Sequence, residues 1–291
     1  AISSDLSSLP IRVYRGKGAD AEMLDSHPVL DLLDRPSSRV GGLLFRRQLY
    51  TDFVLTGNAF VLLAGQQGVP NSMLRLHPAR VRILPMTDGQ PGGYVYDSGD
   101  GRNPGEYAHE QILHIRAPSW SDDPSNLWGT GAVQPLHHDL TTEKAQAELA
   151  ARTAATGQPT GILSPKEEGD RWSKAQVTDL RRLYESQMQQ GGSGVLILGG
   201  QAQFDKLAFS PREMEFSQVR DFVRSSTLAA FDCPPSRVGL PNTNYATASA
   251  QARRFWEGLQ GRSSIIDEQL TRLARMFPDS DGVRVVHDFS E

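Results

Sequence analysis

From Ser210 to Leu259 the chain reads SPREMEFSQVRDFVRSSTLAAFDCPPSRVGLPNTNYATASAQARRFWEGL. Ser210-Pro211-Arg212-Glu213 supplies a cap, a first-turn proline and an acid, the order in which helices begin. Phe216, Val219, Phe222 and Val223 recur at helical spacing and give one apolar face. Phe231-Asp232-Cys233-Pro234-Pro235 ends that helix, because neither proline can donate a backbone hydrogen bond. Ser236 to Tyr245 is polar and rich in Gly, Pro and Asn, and a second helix is expected from near Ala246, carrying Phe255, Trp256 and Leu259. A loop with so few aliphatic residues cannot bury a core of its own. It belongs on a surface where something passes or binds, or it is an ordinary connection between two core helices.

Composition narrows the classes. A chain of 291 residues can bury a large core in one or two domains. Apolar content of 38% with 22% charged residues is that of a globular protein. A net charge of −4 argues against a protein that grips nucleic acid, which needs clustered Lys and Arg. Cys233 is the single cysteine, so no internal disulfide framework exists and a reducing compartment fits. Its place beside two prolines reads as packing, with no histidine neighbouring it in sequence. No apolar run approaches the ~20 residues of a membrane span, so no membrane partner is expected. The start, Ala1-Ile2-Ser3-Ser4-Asp5, lacks a basic n-region and an initiator Met; it is expected to be no signal peptide but the start of a fragment or trimmed product.

Outward from the opening stretch, the N-terminal part alternates helix and strand. Ala1–Leu9 reads as the end of a helix, Ile11–Tyr14 as a strand, Gly16–Ala19 as a turn and His27–Leu33 as a short helix stopped at Arg35-Pro36. Gly41–Leu55 carries a broad apolar face, Thr56-Gly57-Asn58 ends it, and Ala59–Leu63 is a buried strand. Met73–Leu76, Val81–Leu84, Gly93–Tyr96 and Ile112–Ile115 are strands, with Asp88-Gly89 and Gly99-Asp100-Gly101 as hairpin-type turns. Up to Pro118 the pattern is α+β, helices followed by an antiparallel meander. Trp120–Gly131 is a polar loop and Ala132–Thr156 a long helix closed by Gly157-Gln158-Pro159. A strand at Gly161–Leu163, a helix at Ser173–Gln190, and strands at Gly194–Leu198 and Phe204–Phe209 form a compact α/β insert between that helix and Pro211–Phe231. The last helix runs on to Phe277, and Val283–Val286 starts a final strand.

Motifs of familiar chemistry are absent. No Gly-x-x-x-x-Gly-Lys-Ser/Thr loop occurs, and Gly191-Gly192-Ser193-Gly194 precedes a strand rather than following one, the wrong order for cradling phosphate. The single metal-like cluster is Asp122, Asp123, His137, His138 and Asp139. Adjacent histidines on a helix point about a third of a turn apart, so a solvated loop and helix start is the better reading. No catalytic residue, metal ligand or cofactor is assigned. A metal-dependent nuclease or phosphoesterase built on Asp122, Asp123, His137 and Asp139 is the enzymatic alternative; a monomeric adaptor that docks through the helix-loop-helix is the binding alternative.

Five short motifs follow one another across nearly the whole chain: His27-Pro28-Val29-Leu30-Asp31-Leu32-Leu33-Asp34-Arg35-Pro36, Thr56-Gly57-Asn58-Ala59-Phe60-Val61, Leu76-His77-Pro78-Ala79-Arg80-Val81, Gln111-Ile112-Leu113-His114-Ile115-Arg116 and Phe231-Asp232-Cys233-Pro234-Pro235-Ser236-Arg237-Val238-Gly239. In that order they resemble the tailed-bacteriophage portal protein family, the head-to-tail connector through which DNA is packaged. The resemblance implies a wing domain from residues 1–128, stem helices at 129–156 and 210–231, a small α/β clip at 157–209, and a channel loop with the rest of the wing at 232–291. Arg237, Val238, Leu240, Asn242, Asn244 and Tyr245 are the residues it implies for the DNA-channel loop. It further implies a ring of twelve subunits, double-stranded DNA passing through, and docking of the terminase large subunit, the major capsid protein and a head-tail adaptor. The place is the portal vertex of the virion, with the host cytoplasm during assembly. Two departures stand out: Asp232-Cys233 replaces the family's Gly-Val, and Ala248-Ser249-Ala250 stands where many members carry a polar Asn/Glu pair. The chain stops about where the crown would begin, so the crown is expected to be absent.

Overall fold

The computed structural model describes residues 1–16, 18, 21–66, 68–86, 90–101, 103–119, 127–156, 161–165, 173–189, 202–206, 216–240 and 245–290. In chain order the elements are α1 (Ile2–Ser8), β1 (Ile11–Arg15), β2 (Glu22–Leu24), α2 (Pro28–Asp34), α3 (Gly42–Thr56), β3 (Asn58–Gln66), β4 (Val69–Leu76), β5 (Val81–Pro85), β6 (Pro91–Tyr96), β7 (Gly105–Ala108) and β8 (Ile112–Arg116). Then come α4 (His137–Thr156), β9 (Gly161–Pro165), α5 (Lys174–Gln189), β10 (Ala202–Lys206), α6 (Phe216–Ala230), α7 (Tyr245–Ala274) and β11 (Val283–His287). They divide into two compact units, Ala1–Leu136 with Thr227–Glu291, and His137–Ser226. In the second unit β9 and β10 pair antiparallel, Gly161 opposite Lys206 and Pro165 opposite Ala202. The strand expected at Gly194–Leu198 lies outside the described residues.

The α+β character holds, with one difference in the sheets. The expected single meander is instead two three-stranded sheets, β4-β3-β8 and β5-β6-β7. The cause is β8, which returns to the free edge of β3 with Asn58 opposite Arg116 and Leu62 opposite Ile112. β3 thereby becomes a central strand buried on both faces, and its near-continuous apolar run fits that place. Ala59, Val61 and Leu63 face the main core; Phe60 joins Leu76, Val81, Tyr94 and Ile112 in a second cluster on the opposite face. β2 and β7 are strands that sequence reading did not anticipate; both are short, with half-buried residues at best.

The main core is gathered by α7. Phe255, Leu259, Ser263, Ile266, Leu270 and Leu273 recur every three to four residues and are all buried, one stripe along a helix of about 45 Å. β11 follows α7 back to β1, pairing Val13 with Val285 in a sheet that joins the two ends of the unit. Tyr50 of α3 reaches the same region: its hydroxyl is 2.9 Å from His287 Nε2, and His287 Nδ1 is 2.5 Å from Asp267 Oδ1. Burial raises the Tyr50 pKa well above the usual phenol value, so the hydroxyl stays protonated as a donor.

The C-terminus of α3 is met by the segment at residues 129–133. Gly57 closes the helix in the left-handed region, φ 73°, and its amide donates to Phe53 O at 2.8 Å. Asn58, 2% exposed, then uses every valence of its side chain. Its Nδ2 donates to Thr56 O and Gly129 O at 2.8 and 3.0 Å. Its Oδ1 accepts from Gly129 N at 2.7 Å and lies 3.2 Å from His114 Nε2. Ala132 N and Val133 N donate to Val54 O and Leu55 O, which α3 leaves without intrahelical partners. α4 starts at His137 rather than at Ala132 as the sequence predicts. The amides of residues 132 and 133 are bound to α3, and a 3-10 turn at Gln134–Leu136 intervenes.

Asn58→Ala should cost about 3 kcal/mol in urea unfolding, since it leaves the Gly129 amide and carbonyl and His114 unpaired in a dry site. A change below about 0.5 kcal/mol would mean the dock is not stabilising.

His114 gives a pH signature. It is stacked on Phe60 at 4.3 Å between ring centroids, and burial, with Arg116 and His109 nearby, holds its pKa down to about 3. The unfolded chain, at 6.5, binds the proton first. Stability is therefore complete above pH 6.5 and falls as pH drops toward 3, by at most about 1.4 kcal/mol per unit. His27 adds the same sign, its pKa lowered by burial and by Arg15. Urea midpoints at pH 7.5 and 5 should differ in that direction, and His114→Gln should flatten the difference.

Candidate functional site

The corner joining α6 to α7 is built by residues 231–240. Phe231, Asp232 and Cys233 donate their amides back to Thr227 O, Ala229 O and Leu228 O at 3.1, 3.0 and 2.9 Å, so the last turn of α6 winds down without leaving its carbonyls bare. Asp232 makes the reversal at φ 49°, in the left-handed region. Its carboxylate lies 3.8 Å from Arg254 Nε and directly over Gly258, where a Cβ would come within 2.7 Å of Oδ2. Arg262 donates to Phe231 O at 2.9 Å, and burial draws the guanidinium pKa down from its usual value. Cys233 is buried in the main core, and burial pushes its thiol pKa up.

The segment expected as an open loop from Ser236 begins as a hydrogen-bonded turn. Pro235–Val238 is a 3-10 helix, with Arg237 N, Gly239 N and Leu240 N donating to Pro234 O, Ser236 O and Pro235 O. Pro235 at the first position presets the backbone angle, and Gly239 ends the turn at φ 75°. Of the six residues proposed from sequence, Arg237, Val238 and Leu240 share this turn. Tyr245 opens α7, while Asn242 and Asn244 lie outside the described residues. Val238 is 51% exposed. The Arg237 guanidinium stands 4.9 Å from the centre of the Phe255 ring and 5.2 Å from that of Trp256, with a terminal nitrogen 3.7 Å from Asp5 Oδ2 on α1. Beside the turn, an open apolar groove of about 260 Å³ runs between Ile2, Val54, Leu55, Leu228, Phe231 and Val238.

Sequence reading missed Asp5, Arg254, Gly258 and Arg262 as partners of the corner. Asp5 has no local signal, because it comes from the opposite end of the chain. Arg254, Gly258 and Arg262 are spaced four apart on α7, which marks one helix face once the corner is known to fold over it.

Of the metal-like cluster, Asp122 and Asp123 lie outside the described residues. His137 and His138 meet edge-on, with ring centroids 5.6 Å apart. Among the described residues no group of three or more His, Cys, Asp or Glu is arranged to hold a metal ion. Among the same residues no helix is long and apolar enough to cross a membrane.

The profile described as phage portal protein matches residues 1–290. The chain belongs to the phage portal protein family. A probable portal protein of Streptomyces phage phiC31 is 23% identical over 264 residues, 87% of this chain and 56% of the relative. An uncharacterized protein of Rickettsia bellii (strain RML369-C) is 22% identical over 272 residues, 88% of this chain and 67% of the relative. The chain thus spans between about half and two thirds of these curated relatives. Among solved structures, the neck of an empty gene transfer agent (GTA) particle computed with C6 symmetry superposes with a TM-score of 0.66 at 23% identity, over 100% of this chain and 79% of the other. The neck of a native GTA particle computed with C12 symmetry gives 0.64 at 22%, over 100% and 78%. An HK97 family phage portal protein from Corynebacterium diphtheriae gives 0.66 at 13%, over 98% and 89%. At these identities the likeness is one of fold.

Portal motifs quoted from the sequence coincide with particular devices. His27 caps α2 by accepting from Val29 N, His77 accepts from Ala79 N in the turn between β4 and β5, and Gly57-Asn58 is the α3 dock. At the corner, Asp232 occupies a left-handed position, where the family's usual glycine costs nothing. Asp232→Gly should therefore leave stability within about 1 kcal/mol, the relieved strain offsetting the lost ion pair and the added freedom of the unfolded chain. Asp232→Val, β-branched at the same angle, should cost about 2 kcal/mol or more in thermal or urea unfolding. Equal effects from the two would remove backbone geometry as the reason for this residue.

Proposed function

We propose that the chain is the subunit of a portal ring, the structural conduit at one capsid vertex through which double-stranded DNA is packaged and ejected. The observation that carries the reading is the portal family match across residues 1–290. Likeness of fold to particle necks, one computed with C12 symmetry, supports a ring of about that order, with twelve subunits as the expectation. In this reading residues 1–128 and the region after 232 form the wing, 129–156 and 210–231 the stem helices, and 157–209 the clip. The separation of His137–Ser226 from the rest as its own compact unit supports treating stem and clip apart from the wing. Residues 236–245 are the loop that borders the channel. The clip is the surface for the terminase large subunit and head-tail adaptor, and the wing meets the major capsid protein. The site of action is the virion's portal vertex, after assembly in the host cytoplasm.

Physical chemistry favours a conduit over a grip. Each phosphate neutralised by Lys or Arg releases counterions and adds affinity, so a channel lined for tight binding would stall its own cargo. A net charge of −4 avoids that. Chemical work on nucleotides belongs in this reading to a separate motor protein.

Native mass measurement and negative-stain microscopy on the purified chain test the proposal. Closed rings with a central hole, or arcs of laterally repeated subunits, are expected. A monodisperse monomer at high concentration, with no repeated interface above ~1,000 Å² in crystals, would overturn it.

A further inference from the structure

From sequence Arg237 is the one cation of the channel loop, free to meet a phosphate. The geometry points to a different role: we propose that Arg237 is a positioning residue that clamps the corner turn to α1 and α7, its charge engaged within the protein rather than free for nucleic acid. The consequence for DNA rests on the channel reading above; the clamp itself does not.

Three neighbours from two other elements surround the guanidinium. Phe255, 2% exposed, and Trp256 present their rings to it at 4.9 and 5.2 Å. Trp256 is held in place in turn, edge-on to Phe255 at 5.8 Å and to Phe289 at 6.4 Å. The third neighbour is the Asp5 carboxylate at 3.7 Å. Asp5 Oδ2 is buried, and among the described residues no hydrogen bond reaches it, so Arg237 supplies its charge compensation. A guanidinium over two aromatic rings beside a part-buried carboxylate is an arrangement that guanidinium makes and ammonium does not reproduce.

Of the other two arginines at the corner, the buried one is bound and the other lies exposed beside an acid. Arg262 donates to Phe231 O and Arg254 lies beside Asp232. Pro235–Leu240 exposes Ser236, Val238 and Gly239 beside the Arg237 side chain, whose charge faces Asp5 and the two rings. A duplex sliding past this turn meets a cation already engaged by the protein's own carboxylate and rings.

The test uses the full chain with Arg237→Gln, Arg237→Lys and Asp5→Asn, each in the native and the Trp256→Phe background. Trp256 emission, taken as the difference between backgrounds, is followed with acrylamide quenching, thermal unfolding and the salt dependence of binding to a 30-bp duplex. Arg237→Gln should shift Trp256 emission to the red, raise its quenching and lower Tm; Arg237→Lys should recover only part of this, and Asp5→Asn should lower Tm in the same direction. The slope of log affinity against log salt should match the native chain, or neither protein should bind measurably. Unchanged Trp256 emission and quenching in Arg237→Gln would overturn the clamp, as would a slope smaller by ~0.9, the loss of one phosphate contact. Should Arg237→Gln not fold, Arg237→Lys and Asp5→Asn carry the same Trp256 readout. Failure of the channel reading would show separately, as absence of rings with the Trp256 results intact.

Discussion

The first unit depends on how the C-terminus of α3 is satisfied. A helix leaves its last carbonyls without partners, and inside a protein each must be met by something. Here the partners are the backbone and side chains of the segment around Gly57–Asn58 and Gly129–Val133. Side chains on Gly57 and Gly129 would each run into the other strand's backbone, so the approach exists because neither has one. Asn58 fills the space between them with an amide that offers two donors and an oxygen to three neighbours. Because His114 also reaches that oxygen, the same contact registers β8 against β3. One buried amide therefore sets where α3 stops, how the sheet is ordered and where the chain turns toward α4.

A second set of contacts keeps α3 in that place. Asp52, one turn before the dock, receives Arg75 of β4 through two bonds of 2.5 and 2.6 Å, a fork that fixes direction as well as distance. Asp52 is 7% exposed, so removing Arg75 would strand a buried charge, whereas the intact pair contributes mainly orientation. On the opposite side Tyr50 meets His287 and through it Asp267. α3 is thus tied by polar groups to β4, to β11 and to α7, with Phe45, Leu49 and Phe53 packed between them. Polar contacts choose the register; apolar burial supplies the bulk of the stabilisation.

What the sequence revealed and what it hid follow from range. Caps and corners are local, so His27-Pro28, Gly57-Asn58 and Cys233-Pro234-Pro235 could be read directly, and each falls where a helix starts or stops. The apolar run at Ala59–Leu63 identified a buried strand, yet nothing in it says that β8 rather than β5 will lie alongside. That choice is made by His114 meeting Asn58, which is a contact between distant positions. β7 was illegible for a different reason: four residues with a glycine first carry too little alternation to register. At the corner, Ser236 and Arg237 read as polar loop because polarity is what a sequence displays. The aromatic pair that engages Arg237 lies on another helix, and the acid beside it on a third.

Exposed apolar residues bear on why a chain of this composition would assemble. Leu43 and Leu44 in the first turn of α3 are 55% and 54% exposed, Leu84 and Met86 at the end of β5 are 44% and 55%, and Phe222 on α6 is 63%. Single apolar residues at a surface are ordinary, but pairs of large ones at helix starts and strand ends are less so. In a ring each subunit must offer one surface to the neighbour on its left and a different one to the neighbour on its right, so apolar patches should occur on separate elements rather than in one self-complementary spot. In the ring proposed above, Leu43, Leu44, Leu84 and Met86 of the first unit would be candidates for such patches. Closure by such heterologous contacts needs every patch to be modest, since a strong one would hold open chains as firmly as closed rings. A subunit with several small apolar patches and a low net charge is suited to association that becomes stable only when the last contact closes.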